Sequence, residues 1–206
     1  MRIGIIGSGY IGGTVGRLWA KAGHQVFFSS RHPEKLEELA RAVGGQAGTI
    51  EEAAAFGEVI FLAVPYKALP ELAQQVGESL RGKPVLDAGN LYPERDGQVA
   101  QKVLDEGVGA GVATQQHLPG SRVVRAFNTV YYKTLEKEAH RQGDRVGIPL
   151  AGDDRAAPEL AAGLVRDAGF DAVLVGALVE ARRFDVGTPV YNSGKSGPEL
   201  RAALGV

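Results

Sequence analysis

Arg2-Ile3-Gly4-Ile5-Ile6-Gly7-Ser8-Gly9-Tyr10-Ile11-Gly12 opens the chain and decides its fold. The apolar run Arg2–Ile6 reads as a buried strand, and the glycine-rich turn follows it at once. Ile11, Val15, Leu18, Trp19 and Ala22 then recur at helical spacing. Each glycine of the turn has a mechanical reason. Gly7 permits the tight turn, Gly9 lets a pyrophosphate approach the backbone, and Gly12 lets helix and strand pack closely. The helix N-terminus offers free N–H groups and a partial positive charge to an anion. A strand, this glycine pattern and a helix in that order predict a dinucleotide-binding turn in which Gly7, Ser8, Gly9, Tyr10, Ile11 and Gly12 line the phosphate.

Outward from the turn, apolar runs alternate with amphipathic stretches. Gly23 ends the first helix, Gln25–Phe28 is a second strand, and Pro33 opens a second helix with Leu36, Leu39, Ala40 and Val43 inward. A third strand near Gln46–Thr49 leads into a short helix over Glu51–Ala55. Glu58–Val64 is apolar almost throughout, as a strand covered on both faces should be. A helix from Pro70 and strands at Pro84–Asp87 and Arg122–Phe127 follow. Leu91–Gly120 is glycine-rich and partly helical. From about Tyr131 the pattern restarts: a helix to His140, a strand at Gly147–Ala151, a helix at Ala156–Ala168 and a strand at Ala172–Val175. One more helix is expected after Gly176, then a loop over Gly187–Gly197. The expectation is an α/β protein: a Rossmann-type doubly wound parallel sheet over residues 1–130 and a small C-terminal α/β extension over 131–206.

The end of the second strand speaks to the nucleotide. A site for NAD places an acid there to bind the ribose 2′-OH. This chain has Ser29-Ser30-Arg31 and no carboxylate before Glu34. An acid would repel a 2′-phosphate, whereas two hydroxyls and a guanidinium bind it with charge-assisted hydrogen bonds. Lys35, one turn beyond, is a candidate second charge. The expected cofactor is therefore NADP(H).

Ligands in such sheets lie outside the carboxyl ends of the strands. The residues delivered there are Val64-Pro65-Tyr66, Asp87-Ala88-Gly89-Asn90 and Ala126-Phe127-Asn128-Thr129. Val64, Pro65, Ala88 and Asn128 are candidate cofactor contacts. Pro65, Tyr66, Asn128 and Thr129 are candidates for positioning the nicotinamide ring, with Tyr66 covering it and Asn128 and Thr129 meeting its carboxamide. Asp87 and Asn90 have an alternative reading as Asx-type loop braces. No Ser/His/Asp order, metal-ligand spacing or paired carboxylates stand out, and His24, His32, His117 and His140 are scattered. Hydride transfer between two cofactors needs no amino-acid catalyst, because the chemistry is theirs and the protein supplies orientation.

Bulk composition narrows the class. The 206 residues are 44 % hydrophobic and 23 % charged, as in ordinary globular domains. A net charge of −1 argues against nucleic acid as a partner. With no cysteine there is no disulfide, thiolate metal site or Cys nucleophile. The first apolar run is too short for a signal peptide or a membrane span, so the expectation is a cytoplasmic protein without a membrane partner. A homodimer is the default assembly.

Together, Gly7–Gly12, Ser29-Ser30-Arg31, Val123–Thr129 and Ala151-Gly152-Asp153-Asp154 resemble the coenzyme F420-dependent NADP oxidoreductase family. Asp167–Asp171 and Val175–Leu178 are similar to its C-terminal portion. The resemblance spans nearly the whole chain. It implies a deazaflavin held against the nicotinamide, with NADP held by Gly7, Ser8, Gly9, Tyr10, Ile11, Ser29, Ser30, Arg31 and Lys35, and the ring-stacking site bordered by Pro65, Asn128 and Thr129. One departure stands out: archaeal members carry histidine where this chain has Asn128. The Phe127-Asn128-Thr129 form is similar to cytosolic domains of flavin-using ferric reductases, which leaves the acceptor open between F420 and a flavin (FMN or FAD). Two other readings compete. An NADPH-dependent imine or 3-hydroxy-acid reductase normally appends a long helical domain, and only 76 residues follow residue 130 here. A non-catalytic NADPH sensor would leave no further signature.

Overall fold

Strands β1 (Arg2–Ile6), β2 (Gln25–Ser29), β3 (Gln46–Gly48), β4 (Val59–Leu62), β5 (Pro84–Asp87), β6 (Arg122–Arg125), β7 (Gly147–Gly152) and β8 (Asp171–Gly176) form one sheet. The structure, a computed structural model, describes all 206 residues. The order is β3-β2-β1-β4-β5-β6-β7-β8, so the chain reverses direction across the sheet between β1 and β4. That switch point opens a crevice at the strands' carboxyl ends.

Strands β4 and β5 are buried at every position, as their apolar runs demand. Helix α1 (Tyr10–Lys21) packs on β1 and β2 through its small residues. A Cβ on Gly12 would run into the Gly7 carbonyl, and one on Gly16 into the Phe28 ring. Trp19 is fully buried; its indole N–H donates to the Leu164 carbonyl at 2.8 Å, tying α1 to α9 (Ala156–Asp167). Edge-to-face contacts join Trp19 to Phe61 and Phe127, and Phe127 in turn to Phe170, so one core serves residues from both ends of the chain.

Several elements differ from expectation. The sheet is not parallel throughout, because β7 runs antiparallel to β6. Only Val124↔Gly152 and Arg125↔Ala151 pair, so the first residues of β7 run on past the carboxyl end of β6. The segment that joins the two strands carries α8 (Tyr132–Glu138), which packs on α1. Glu136 bonds Arg17 at 2.5 Å, and Tyr132 stacks on Tyr10 with centroids 4.6 Å apart. The segment at Pro33–Leu36 is a 3-10 turn leading into α2 (Glu37–Ala42). α3 (Ile50–Phe56) starts earlier than its apolar pattern suggests because Thr49 and Glu52 close a capping box. Residues 91–120 hold α5 (Pro93–Asp96), α6 (Gln98–Glu106) and α7 (Ala110–His117), beyond α4 (Leu69–Val76). After β8 the expected helix is a 3-10 run, Leu178–Phe184. The chain ends in α10 (Gly197–Leu204), opened by the Ser196/Glu199 capping box. No helix is long and apolar enough to cross a membrane.

Candidate active site

Gly7 leaves β1 with φ = +94°, and a Cβ there would sit 2.6 Å from the Ala63 carbonyl, so only glycine makes this turn. The Gly7 and Ser8 N–H groups donate to the Ser29 carbonyl, and the Ser29 N–H donates back to Ser8 Oγ at 3.0 Å. The turn is thus laced to the end of β2. Gly9, the residue before α1, faces open space: a Cβ there would meet no atom within 4 Å. No side chain caps α1 and no acid sits in its first turn. Uncapped N–H groups and an empty approach over Gly9 fit a pyrophosphate.

At the end of β2 the three expected 2′-phosphate ligands separate. Ser29 is fully buried and its hydroxyl donates to the Ile5 carbonyl at 2.7 Å, so its side chain braces β1 against β2. Ser30 is half-buried; its Oγ accepts from the His32 N–H at 3.0 Å and keeps its own proton to give. Arg31 is exposed and forms no ion pair. Lys35, also unpaired, lines a groove of about 510 Å³ with Ser8, Gly9, Tyr10, Thr14 and Arg17.

The main crevice, about 590 Å³, runs from α1 to the carboxyl ends of β4, β5 and β6. Tyr10, Ile11, Val64, Pro65, Ala88 and Asn128 all line it, as their positions predict. Tyr66 and Thr129 do not. Pro65 leads into a 3-10 turn (Tyr66–Ala68) that drives the Tyr66 ring into the core, edge-on to His117 at 5.9 Å, where burial raises its pKa. Thr129 is buried, and its carbonyl accepts from the Asn192 N–H at 2.8 Å.

Other aromatic rings line the crevice. Five of the chain's six tyrosines line this crevice: Tyr10, Tyr92, Tyr131, Tyr132 and Tyr191. Tyr131 and Tyr132 follow the Asn128-Thr129 loop directly, a doublet that the sequence displays. Tyr191 arrives from the tail: the Tyr131 N–H donates to Asn192 Oδ1 at 3.1 Å, pinning that tail to the crevice wall. The Tyr92 and Tyr191 hydroxyls bond each other, and burial with this bond pushes the Tyr191 pKa far up. Arg95 lies over the Tyr92 ring, 4.8 Å from its centroid, held by the buried Asp96 carboxylate at 2.7 Å. No His, Asp, Glu or Lys lines the crevice.

Behind the wall lies a charge cluster. Arg125 is fully buried and donates to Asp87 Oδ2 at 3.0 Å, to Asp185 Oδ1 at 3.0 Å and to Asn90 Oδ1 at 2.9 Å. Asp87 Oδ1 accepts the Gly89 N–H at 2.8 Å, the Asx-type brace anticipated for it. Burial pushes the Asp87 carboxyl up, and the guanidinium beside it opposes that rise. Asn90 passes the order on by donating from Nδ2 to the Asn128 carbonyl at 2.9 Å. Phe127, between Arg125 and Asn128, has φ = 60°, a strained value for a bulky residue, held by its packing against Trp19, Phe61 and Phe170.

A family model described as "NADP oxidoreductase coenzyme F420-dependent" matches residues 2–91. The F420-dependent NADP reductase of Methanothermobacter thermautotrophicus is 31% identical over 204 residues, covering 92% of this chain and 87% of that protein. The F420-dependent NADP reductase of Methanocaldococcus jannaschii is 28% identical over 203 residues, covering 92% and 90%. Among solved structures, hypothetical protein SMa0349 from Sinorhizobium meliloti superposes with a TM-score of 0.80 at 26% identity over 93% of both chains.

Proposed function

As the chain belongs to the coenzyme F420-dependent NADP oxidoreductase family, and so is an NADP-dependent oxidoreductase, we propose that it transfers hydride between NADP(H) and a deazaflavin of the F420 type. The observation that carries this reading is the crevice itself. It begins at an uncapped helix N-terminus, where Tyr10 stands, and runs on past four more tyrosines, with no His, Asp, Glu or Lys on its walls. Reduction of an imine or a keto acid calls for a proton donor at the reacting atom, a role open on these walls only to a tyrosine hydroxyl. Transfer between two rings asks only for their distance and orientation. The nicotinamide and the acceptor ring supply the redox chemistry when bound.

The chain's own residues divide the remaining work. Gly7, Ser8, Gly9, Tyr10, Ile11 and Gly12 shape the pyrophosphate turn. Ser30 and Arg31, with Lys35 at the neighbouring groove, select the 2′-phosphate, and Ser29 holds their strand end in place. Val64, Pro65, Ala88 and Asn128 border the nicotinamide. Residues 131–206 complete the acceptor side through Tyr131, Tyr132 and Tyr191. Flavin as acceptor is the second reading, favoured by the Phe127-Asn128-Thr129 form noted in the sequence.

The test is NADPH oxidation by purified protein with F420, FMN, FAD or ferric chelate supplied in turn. Turnover with F420 supports the proposal, and turnover with a flavin alone moves the acceptor to the second reading. Tight NADPH binding without turnover on any of them refutes ring-to-ring transfer and leaves a sensor.

A further inference from the structure

Asn128 Oδ1 is the one buried side-chain polar atom in the molecule with no hydrogen-bond partner. Asn128 is only 4% exposed and borders the crevice. Its Nδ2 donates to the Phe184 carbonyl at 3.2 Å, so the amide has one allowed orientation. Turned over, it would set oxygen against oxygen. The nitrogen is committed and the oxygen is left free. A buried acceptor without a partner costs stability, so its persistence beside a ligand crevice points to a ligand donor.

Resting on the nucleotide reading above, we propose that Asn128 Oδ1 accepts a hydrogen bond from the nicotinamide carboxamide NH2, and that Arg125 is a positioning residue for it. Arg125 does not reach the crevice. Its planar fork binds Asp87 and Asp185 and still spends one N–H on Asn90 Oδ1. That bond orients the Asn90 amide so that its Nδ2 grips the Asn128 carbonyl. The residue next to Asp185, Phe184, holds the Asn128 side chain. Both grips on Asn128 therefore trace back to one guanidinium and its carboxylates. A lysine at position 125 would keep the charge and lose the fork.

The test is calorimetric binding of NADP+, of its 3-acetylpyridine analogue, which has a methyl group where the carboxamide has NH2, and of 2′,5′-ADP, which lacks the nicotinamide half. Wild type should prefer NADP+ over the analogue by about tenfold, the worth of one neutral hydrogen bond with a buried partner. Asn128→Ala should bring that ratio to about one while 2′,5′-ADP binds as before. Asn90→Ala and Arg125→Lys should each lower the ratio severalfold, again with 2′,5′-ADP unchanged. A role confined to folding would weaken all three ligands together and overturn the positioning claim. Equal wild-type affinity for NADP+ and the analogue, with 2′,5′-ADP bound, overturns the Asn128 contact and leaves the nucleotide site standing. Failure of the wild type to bind 2′,5′-ADP overturns the nucleotide reading itself, and this contact with it.

Discussion

Replacing Arg125 by methionine should cost the fold about 3–5 kcal/mol at neutral pH, the usual penalty for removing one partner of a buried ion pair. Against a total stability of about 5–15 kcal/mol, that is a large share. Methionine fills similar space, so lost packing is the smaller effect. The larger one is Asp87, 2% exposed, which would keep the Gly89 N–H and the Thr114 hydroxyl as donors and lose its counter-charge. Asp185 is less affected, because its side chain is 19% exposed and keeps the Ala110 N–H at 3.1 Å. In the variant the Asp87 carboxyl rises well above its unfolded value, since burial already pushes it upward and the opposing guanidinium is gone. A group whose folded pKa is raised favours folding below its unfolded pKa, and that advantage is lost as pH rises through the folded one. Arg125→Met should therefore lose less stability near pH 4 than at pH 7. Adding Asp87→Asn should restore part of the loss at pH 7 by removing the stranded charge. Urea unfolding of the four proteins of this double-mutant cycle, at both pH values, measures the coupling directly. A deficit independent of pH, or a double mutant no better than Arg125→Met, would refute the argument.

Three further outcomes are expected. Arg31→Ala should weaken NADPH by about 1–3 kcal/mol, the worth of a charge-assisted bond to phosphate, and leave NADH nearly unchanged. Equal loss for both in calorimetry would remove the 2′-phosphate role. Gly9→Ala should bind NADPH at least about tenfold more weakly with an unchanged melting temperature, because its methyl meets no protein atom and intrudes only where the pyrophosphate passes. Gly12→Ala should instead lower the melting temperature, since its methyl meets the Gly7 carbonyl; the reverse pattern would misplace the phosphate. For Asp96, burial raises the carboxyl, but the Arg95 bond and the Tyr92 and Lys67 N–H groups outweigh it and hold the pKa below the ordinary value. Its stabilisation is present above the unfolded pKa and fades as pH falls through the folded one. Acid unfolding of Asp96→Asn should show a shallower loss over that range, and an unchanged slope would count against the pair.

The glycine turn was legible in the sequence because its determinants are local. Gly7 and Gly12 act on their own backbone and nearest neighbours, so spacing alone identifies each role. The alternation of strand and helix was legible for the same reason, as was the preference for a 2′-phosphate, since an absent acid is visible wherever the chain folds. Direction and facing were decided elsewhere. Tyr66 and Tyr131 both follow strand ends, yet only a 3-10 turn after Pro65 buries the first and leaves the second on the crevice wall. Ser29 reads as a phosphate ligand until the register of β2 on β1 sets its hydroxyl against the Ile5 carbonyl. β7 reads as one more parallel strand, yet its pairing with β6 is antiparallel. The Arg125 cluster draws on residues 87, 90, 125 and 185, and no window of sequence contains that arrangement. The chain by itself determined most of the strand–helix order and the glycine turn that opens it, because those depend on neighbours in sequence. Only the tertiary structure decided which side chains face the crevice and which charges share the interior, because those depend on neighbours in space.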